Sequence, residues 1–333
     1  MLRNEKVIAA QVARIKDVIG KLLPYGTKYA LLDFPDYENV GDSAIWLGGV
    51  KLISQLTGNM PTYVCKLERF DAAELRKALP SGPILLQGGG NFGDIWPWFQ
   101  DFREMIIDQF KDRLIIQLPQ TISFKDQLAI DRSAKIIAQH SNFHLLVRDQ
   151  PSFEFAKKHF QCPVELVPDM AFGLGAIKRP LVASTDVFML LREDAERAEY
   201  DHSLLKAIPN STSADWLDEP KHFSSVAKYI AGFKSVCLGA MSRDERRIIY
   251  YQQLATGRLN RGLKMLSSGQ HVITDRLHAH ILSTLLDIPH VALDNNYGKI
   301  SSYINAWTST YPALQTAKTS NEALEKLALL PKV

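Results

Sequence analysis

Short apolar runs alternate with stretches of helical spacing along most of the chain. The runs Tyr29–Phe34, Thr62–Lys66, Ile84–Gln87, Leu114–Leu118, Phe143–Val147 and Val164–Val167 are four to six residues long and close on polar or glycine-bearing turns, which reads as strands. Helical spacing fills the intervals at Ser43–Leu56, Trp98–Phe110, Gln127–His140 and Pro151–His159. Ahead of them, Ile8, Val12, Ile15, Ile19 and Leu22 recur at helical spacing within Glu5–Leu23. Repeated β-α units of this kind predict a mostly parallel sheet covered on both faces.

The alternation breaks at Phe172–Thr185, where Gly173, Gly175, Lys178, Arg179 and Pro180 mark a linker. A second series follows. Asp186–Leu191 reads as a strand ending in Arg192-Glu193-Asp194, Ser235–Leu238 as another, and Arg243–Leu266 as one long helix or two. His271–Ile273 and Ile288–Leu293 read as strands, with a helix at Leu277–Leu286 between them. Ala195–Asp218 is polar and fits no element, and no internal repeat is present. A chain of 333 residues is long for one core. The expected fold is therefore α/β, with two Rossmann-like domains facing across a cleft: residues 1–175, with the leading helix, and 176–333.

Composition narrows the function classes. A formal net charge of +3 implies only mild attraction to acidic surfaces, and no Lys/Arg run interleaved with aromatics points to nucleic acid. Cys65, Cys162 and Cys237 are widely spaced and form no CxxC pair, which argues for reduced thiols and against zinc. No apolar run approaches the roughly 20 residues that span a bilayer, so a cytoplasmic location is the expectation. Lys6, Arg14, Lys16 and Lys21 make the first helix basic. Packing on the body is its expected use, and lying on the inner face of a membrane is the alternative.

In parallel sheets, ligands collect at the carboxyl ends of strands. The loops leaving those ends are Asp36–Asp42, Gly88–Asp94, Pro119-Gln120-Thr121, Arg148-Asp149 and Pro168-Asp169. Gly88, Gly90 and Gly93 satisfy G-x-G-x-x-G, but they follow the third strand, and the next strand ends in Leu118-Pro119-Gln120 with no acid for a ribose. Backbone approach to an anion or a sugar, or a plain tight turn, fits Gly89, Gly90, Asn91 and Asp94 better. Asp42 or Ser43 caps the next helix, unless Asn39 and Asp42 face the cleft. Arg148 and Arg192 each stand at a strand end, where a doubly charged ligand needs them. In Ile273–His280, Thr274 and Asp275 are cap types, which puts Arg276 and His278 in a first helical turn where backbone N–H groups attract anions. Without that role the helix is simply amphipathic, with Leu277, Ile281, Leu282 and Leu285 inward. His278 and His280 lie on different helix faces, so a shared metal is not expected and His280 reads as structural.

Taken in order, Asn39-x-Gly41-Asp42-x-x-Ile45, Gly88–Asp94, Leu118-Pro119-Gln120, Arg148-Asp149, the Arg192 strand end, Thr274–Ala279 and Tyr297-Gly298-Lys299 resemble the polysaccharide pyruvyl transferase family over about residues 30–305. The resemblance implies a fold similar to two-domain GT-B glycosyltransferases. It also implies phosphoenolpyruvate as co-substrate, with no cofactor or metal, and a pyruvate ketal bridging two hydroxyls of a surface or extracellular polysaccharide or its lipid-linked precursor. It puts donor recognition on Arg276, Leu277 and His278, with Arg148 as a further arginine. The chemistry of the residues agrees: His278 is the acid, Arg276 and Arg148 clamp the anion, and Asn39, Asp42, Gly89, Gly90, Asn91, Asp94, Arg192 and Lys299 line the substrate site. The rival functions are a nucleotide-sugar glycosyltransferase of the same shape and a non-catalytic glycan-binding protein.

Overall fold

The computed structural model describes residues 3–192, 201–217, 219–220, 223–237, 242–294 and 298–331. In the first half the chain runs α1 (Glu5–Leu22), β1 (Ala30–Leu32), α2 (Val40–Thr57), β2 (Tyr63–Cys65), α3 (Ala72–Ala78), β3 (Ile84–Leu86), β4 (Gly89–Gly93), α4 (Pro97–Gln109), β5 (Ile115–Ser123), α5 (Gln127–Ala138), β6 (Phe143–Val147), α6 (Gln150–His159) and β7 (Val164–Leu166). The second half runs β8 (Thr185–Leu190), α7 (His202–Lys206), β9 (Ser211–Ser213), α8 (Phe223–Cys237), α9 (Arg243–Ser267), β10 (Gly269–Thr274), α10 (Leu277–Leu285), β11 (His290–Leu293), α11 (Lys299–Tyr303), β12 (Leu314–Ala317) and α12 (Ser320–Leu327).

Every strand pair is parallel. This follows from runs such as Ala30-Leu31-Leu32 and Ile84-Leu85-Leu86, which are buried on both faces and so need helices on both sides. The first sheet has the order β2-β1-β3-β5-β6-β7, with β4 attached to β5, and the second β12-β11-β10-β8-β9. Each is doubly wound, and its order reverses once, at β1/β3 in the first and at β8/β10 in the second. Ligands bind such sheets outside the carboxyl ends at that reversal. Asp33–Asn39 and β4 leave the first reversal, and Leu191-Arg192 and Asp275-Arg276 leave the second.

Helix α2 lies at the centre. It is apolar on nearly every side, burying Val40, Ala44, Ile45, Trp46, Val50, Leu52 and Ile53, and one hydrophobic cluster runs through it from Leu31, Leu85 and Ile116 to Phe188, Leu190 and Val272. Helix α1 buries Val7, Ile8, Ile15, Val18 and Ile19, so its apolar face packs on the body. Just before it, Asn4 Nδ2 donates to the carbonyls of Thr284 (2.7 Å) and Leu285 (3.1 Å), at the end of α10.

Several sequence expectations change. The glycine loop is itself a strand, β4, laid along an extension of β5 that carries Leu118-Pro119-Gln120 inside it rather than at its end. Gly93 there has φ +129°, and a Cβ would fall 1.9 Å from the Ser123 carbonyl oxygen, so only glycine fits. Helix α2 starts earlier than expected, because Asn39 and not Asp42 or Ser43 is its cap, with Oδ1 accepting from Gly41 N at 2.9 Å. Arg276 is the N-cap of α10 and not part of its first turn. Ser235–Cys237 closes helix α8 instead of forming a strand, with Leu238 outside the described residues. Arg243–Ser267 is one helix, set off by a capping box between Ser242 and Glu245. Within Ala195–Asp218, α7 and β9 are formed, while Glu193, Asp194, residues 195–200 and Asp218 lie outside the described residues.

Candidate active site

Arg148 leaves β6 and is almost wholly buried. Its Nε donates to Thr121 Oγ1 at 2.9 Å, from the extended part of β5, and its Nη1 pairs with Asp169 Oδ2 at 2.6 Å. Thr121 in turn donates to Asp149 Oδ2 at 2.6 Å, and Asp149 caps α6 through Ser152 N. Asp169 is placed by the turn after β7, where its Oδ1 accepts from Ala171 N at 2.8 Å. The second half closes around this pair. Tyr303 Oη accepts from Asp169 N at 3.2 Å, Trp307 Nε1 donates to the Arg148 carbonyl at 2.8 Å, and His278 Nε2 lies 3.3 Å from Asp169 Oδ2 and 3.4 Å from Arg148 Nη1.

The His278 ring rests on the first turn of α2. A Cβ at Gly41 would stand 2.4 Å from its Nδ1, so glycine at 41 is what lets the two helix starts meet. On the other side the backbone of β4 comes close. A Cβ at Gly90 would lie 3.2 Å from Arg148 Nη2, and one at Gly89 3.4 Å from Asp42 Oδ1. Arg148 Nη2 makes no hydrogen bond to the described residues.

The charges are set by opposing forces. Burial works against ionising Asp169, but His278, Arg148 and the Ala171 N–H together hold its carboxyl below the ordinary value. Burial pushes Asp42 up, against the pull of His278, Tyr37 and Arg148. Asp33, at the end of β1 with φ +70°, is pushed up to about 7 by burial, with Arg103 opposing and Asp42 and Glu68 adding to the effect. Arg148 and His278 thus face two carboxylates where the sheets meet, Asp169 held below its ordinary value and Asp42 raised above it.

The structure thus joins Arg148, His278, Asp42, Gly89 and Gly90. Asn39 serves as a cap. Asn91 Oδ1 accepts from Arg103 Nη2 (2.9 Å) and Gln120 Nε2 (2.8 Å), which fixes β4 on β5. Asp94 holds the following loop, accepting from Lys125 N and Asp126 N at 2.7 Å each. At the second sheet's edge, buried Arg276 pairs with Asp215 at 2.6 Å, and Asp275 accepts from Arg192 N at 2.8 Å. Leu277 packs into the apolar clusters. Lys299 opens α11, and Tyr297 and the Lys299 side chain lie outside the described residues.

Sequence reasoning did not single out Asp169, Thr121, Asp33, Asp215 or Tyr303. Asp169 stood in a strand-end loop, the one available signal. His280 is structural: buried, it meets His290 Nε2 and Thr308 Oγ1 at 2.8 Å each, with both imidazoles held neutral by burial. Among the described residues no three His, Cys, Asp or Glu side chains group to hold a metal, and no helix is long and apolar enough to cross a membrane.

Two doubly wound parallel sheets whose carboxyl-end loops join in a buried Arg-His-Asp cluster define an α/β protein with one shared polar site. The chain belongs to the polysaccharide pyruvyl transferase family, whose sequence profile matches residues 39–297. Pyruvyl transferase 1 of Schizosaccharomyces pombe is 32% identical over 300 residues, covering 84% of this chain and 69% of that protein. EpsO of Bacillus subtilis, also named for pyruvyl transfer, is 29% identical over 295 residues, covering 88% and 89%. The crystal structure of an uncharacterised protein of Klebsiella pneumoniae shares the fold, with TM-score 0.59 at 18% identity over 91% of this chain and 96% of that one.

Proposed function

We propose that the protein transfers the pyruvyl group of phosphoenolpyruvate to two hydroxyls of one sugar in a surface or extracellular polysaccharide or its lipid-linked precursor, forming a ketal and releasing phosphate. The observation that carries this reading is the meeting of His278 and Arg148 between Gly41 and Gly90, an imidazole and a guanidinium brought together from different sheets.

The reaction adds one sugar O–H across the enol double bond. Its proton equivalent goes to the methylene carbon, which becomes the methyl group, and its oxygen bonds to the neighbouring carbon. Phosphate then leaves from that carbon, the second hydroxyl closes the ring, and the second proton departs on the phosphate. His278 delivers the first proton, and Asp169 orients the ring through Nε2. The donor enters at the Arg148–His278 contact, which at 3.4 Å is the longest of the cluster, and Arg148 Nη2 supplies an unused N–H for one anionic end. Arg276, fixed by Asp215, and Arg192 meet the other end. Asp42 and the backbone at Gly89 take sugar or donor hydroxyls. Arginine neutralises the donor here, so the reading invokes no resident cofactor or metal. The reaction belongs in the cytoplasm, at the inner membrane face where the acceptor is lipid-linked.

The test is incubation with phosphoenolpyruvate and galactose, mannose, glucose and N-acetylhexosamine glycosides, scored by the mass gain of a pyruvyl ketal and by free phosphate. Phosphoenolpyruvate should also raise the melting temperature. A shift with a nucleoside diphosphate instead, and no ketal, favours a nucleotide-sugar transferase and defeats this reading.

A further inference from the structure

A run of aromatic rings leads from the candidate site to the surface. The Tyr37 hydroxyl faces the Asp42 carboxyl, and the Tyr37 ring lies 6.3 Å from Phe99, edge to face. Phe99 lies 6.0 Å from Trp98, and Trp98 lies 5.6 Å from Trp96. Trp96 and Trp98 are 43% and 51% exposed, so both residues meet solvent.

The footing of these rings is rigid. Trp96 is the N-cap of α4 with Pro97 at the first helical position, which fixes the backbone between the indoles. In the same turn buried Gln100 accepts from Gly93 N at 3.1 Å and donates to Ser133 Oγ at 3.0 Å, tying the helix start to β4 and α5. One turn beyond Trp98, Asp101 is paired with Arg132 at 2.9 Å, an exposed polar edge beside an apolar face. The backbone that comes close to Arg148 at Gly90 reaches Trp96 six residues later, so the Trp96 Cα is at most about 22 Å from that of Gly90.

A hexose ring has the complementary surface, C–H groups on its faces and hydroxyls at its edge, and rigid amphipathic aromatics bind such surfaces at little entropic cost. We infer that Trp96 and Trp98, with Phe99 and Tyr37 leading inward, form a platform for the acceptor glycan that holds sugars neighbouring the one modified. The inference rests on the pyruvyl transfer reading, since that reading supplies a polysaccharide acceptor, but its test needs no turnover.

Of the five tryptophans, Trp46 and Trp216 are buried and Trp307 is half-buried beside Arg148, so an emission change is assigned to the Trp96–Trp98 pair only where Trp98→Ala removes it. The probes are the hexaoses of β-1,4-glucose, β-1,3-glucose, β-1,4-mannose and β-1,4-galactose, each titrated against its methyl glycoside without phosphoenolpyruvate. At least one hexaose should shift the emission and bind about tenfold more tightly than its methyl glycoside. Trp98→Ala should abolish that gap, Trp98→Phe should retain most of it, and isothermal titration should give the same order. The melting temperature of Trp98→Ala should match the wild type, because the side chain is exposed. The platform is refuted if no hexaose binds, if Trp98→Ala binds as wild type does, or if Trp98→Ala changes the sedimentation of the protein instead, which makes the indoles a subunit contact. Glycan binding without any ketal from phosphoenolpyruvate would uphold the platform and defeat the donor assignment.

Discussion

The carboxyl edge of each sheet holds a buried arginine, and the two are tied down differently. Arg148 is shared among elements of both halves: Thr121 and Asp169 grip it, His278 and Trp307 approach from the other side, and Nη2 turns to the glycine strand. Arg276 is anchored by Asp215, from its own half. The first arginine therefore reports how the halves fit together, while the second is preset by the loops around it. Both arginines hold a carboxylate at 2.6 Å, so what sets Arg148 apart is the 3.4 Å approach of His278, which a ligand can replace without breaking the ion pair.

The sharpest way to break this contrast is His278→Ala. Turnover should fall on the order of a thousandfold, while circular dichroism should still show a folded protein, since Asp169 and Arg148 keep their own ion pair. Near-normal ketal formation would remove His278 from the mechanism and leave its contact with Arg148 a structural one.

Next in size are the carboxylates. Asp169→Asn and Asp215→Asn each neutralise a carboxylate 2.6 Å from a buried arginine and should each cost about 3 kcal/mol in denaturant unfolding. Their kinetics should part: Asp169→Asn should cut turnover about a hundredfold because it also releases His278, and Asp215→Asn only about tenfold. The reverse order would invert the comparison.

The smallest effect is on acid stability. Burial holds His290 down to about 4, so its neutral form stabilises the fold fully above the unfolded value near 6.5, and that stability is lost as pH falls from there towards 4. His280 is depressed too and acts with the same sign. Asp169, held below its ordinary value, gives up its contribution only as pH falls below about 3.8. Denaturant titrations at pH 7 and pH 5 should therefore differ by roughly 2 kcal/mol from His290 alone. A flat profile over that range, with loss only below pH 4, would shift the acid sensitivity to the Arg148 cluster.

Much of this architecture was legible because parallel strands buried on both faces leave apolar runs, and Leu31, Leu85 and Ile116 carry that signal without side-chain detail. The helix Leu277–Leu285 was readable from its apolar period, but its cap fell on Arg276 and not on the better cap types Thr274 and Asp275. What escaped depended on distant partners. Asp169 has no local signature, and its partner His278 is 109 residues away. Asp215 sits in a polar stretch with no periodicity. Asn39 lost to Asp42 and Ser43 because all three are good cap types and only the helix start chooses among them. Strand β4 was hidden because glycines read as turn until the carbonyl of Ser123 explains them. Helix α8 misled because Val226, Tyr229, Ile230, Phe233 and Val236 are exposed, so its last residues looked like a buried strand.

Asn4 secures the back of the helix whose front presents His278, and the two are 280 residues apart. During synthesis at ribosomal rates that interval lasts on the order of tens of seconds. The opening helix of the chain must therefore wait, its final berth unmade, until most of the protein has emerged. Until Asn4 reaches those two carbonyls, the far end of the helix that starts at His278's turn lacks the donor that ties it to α1.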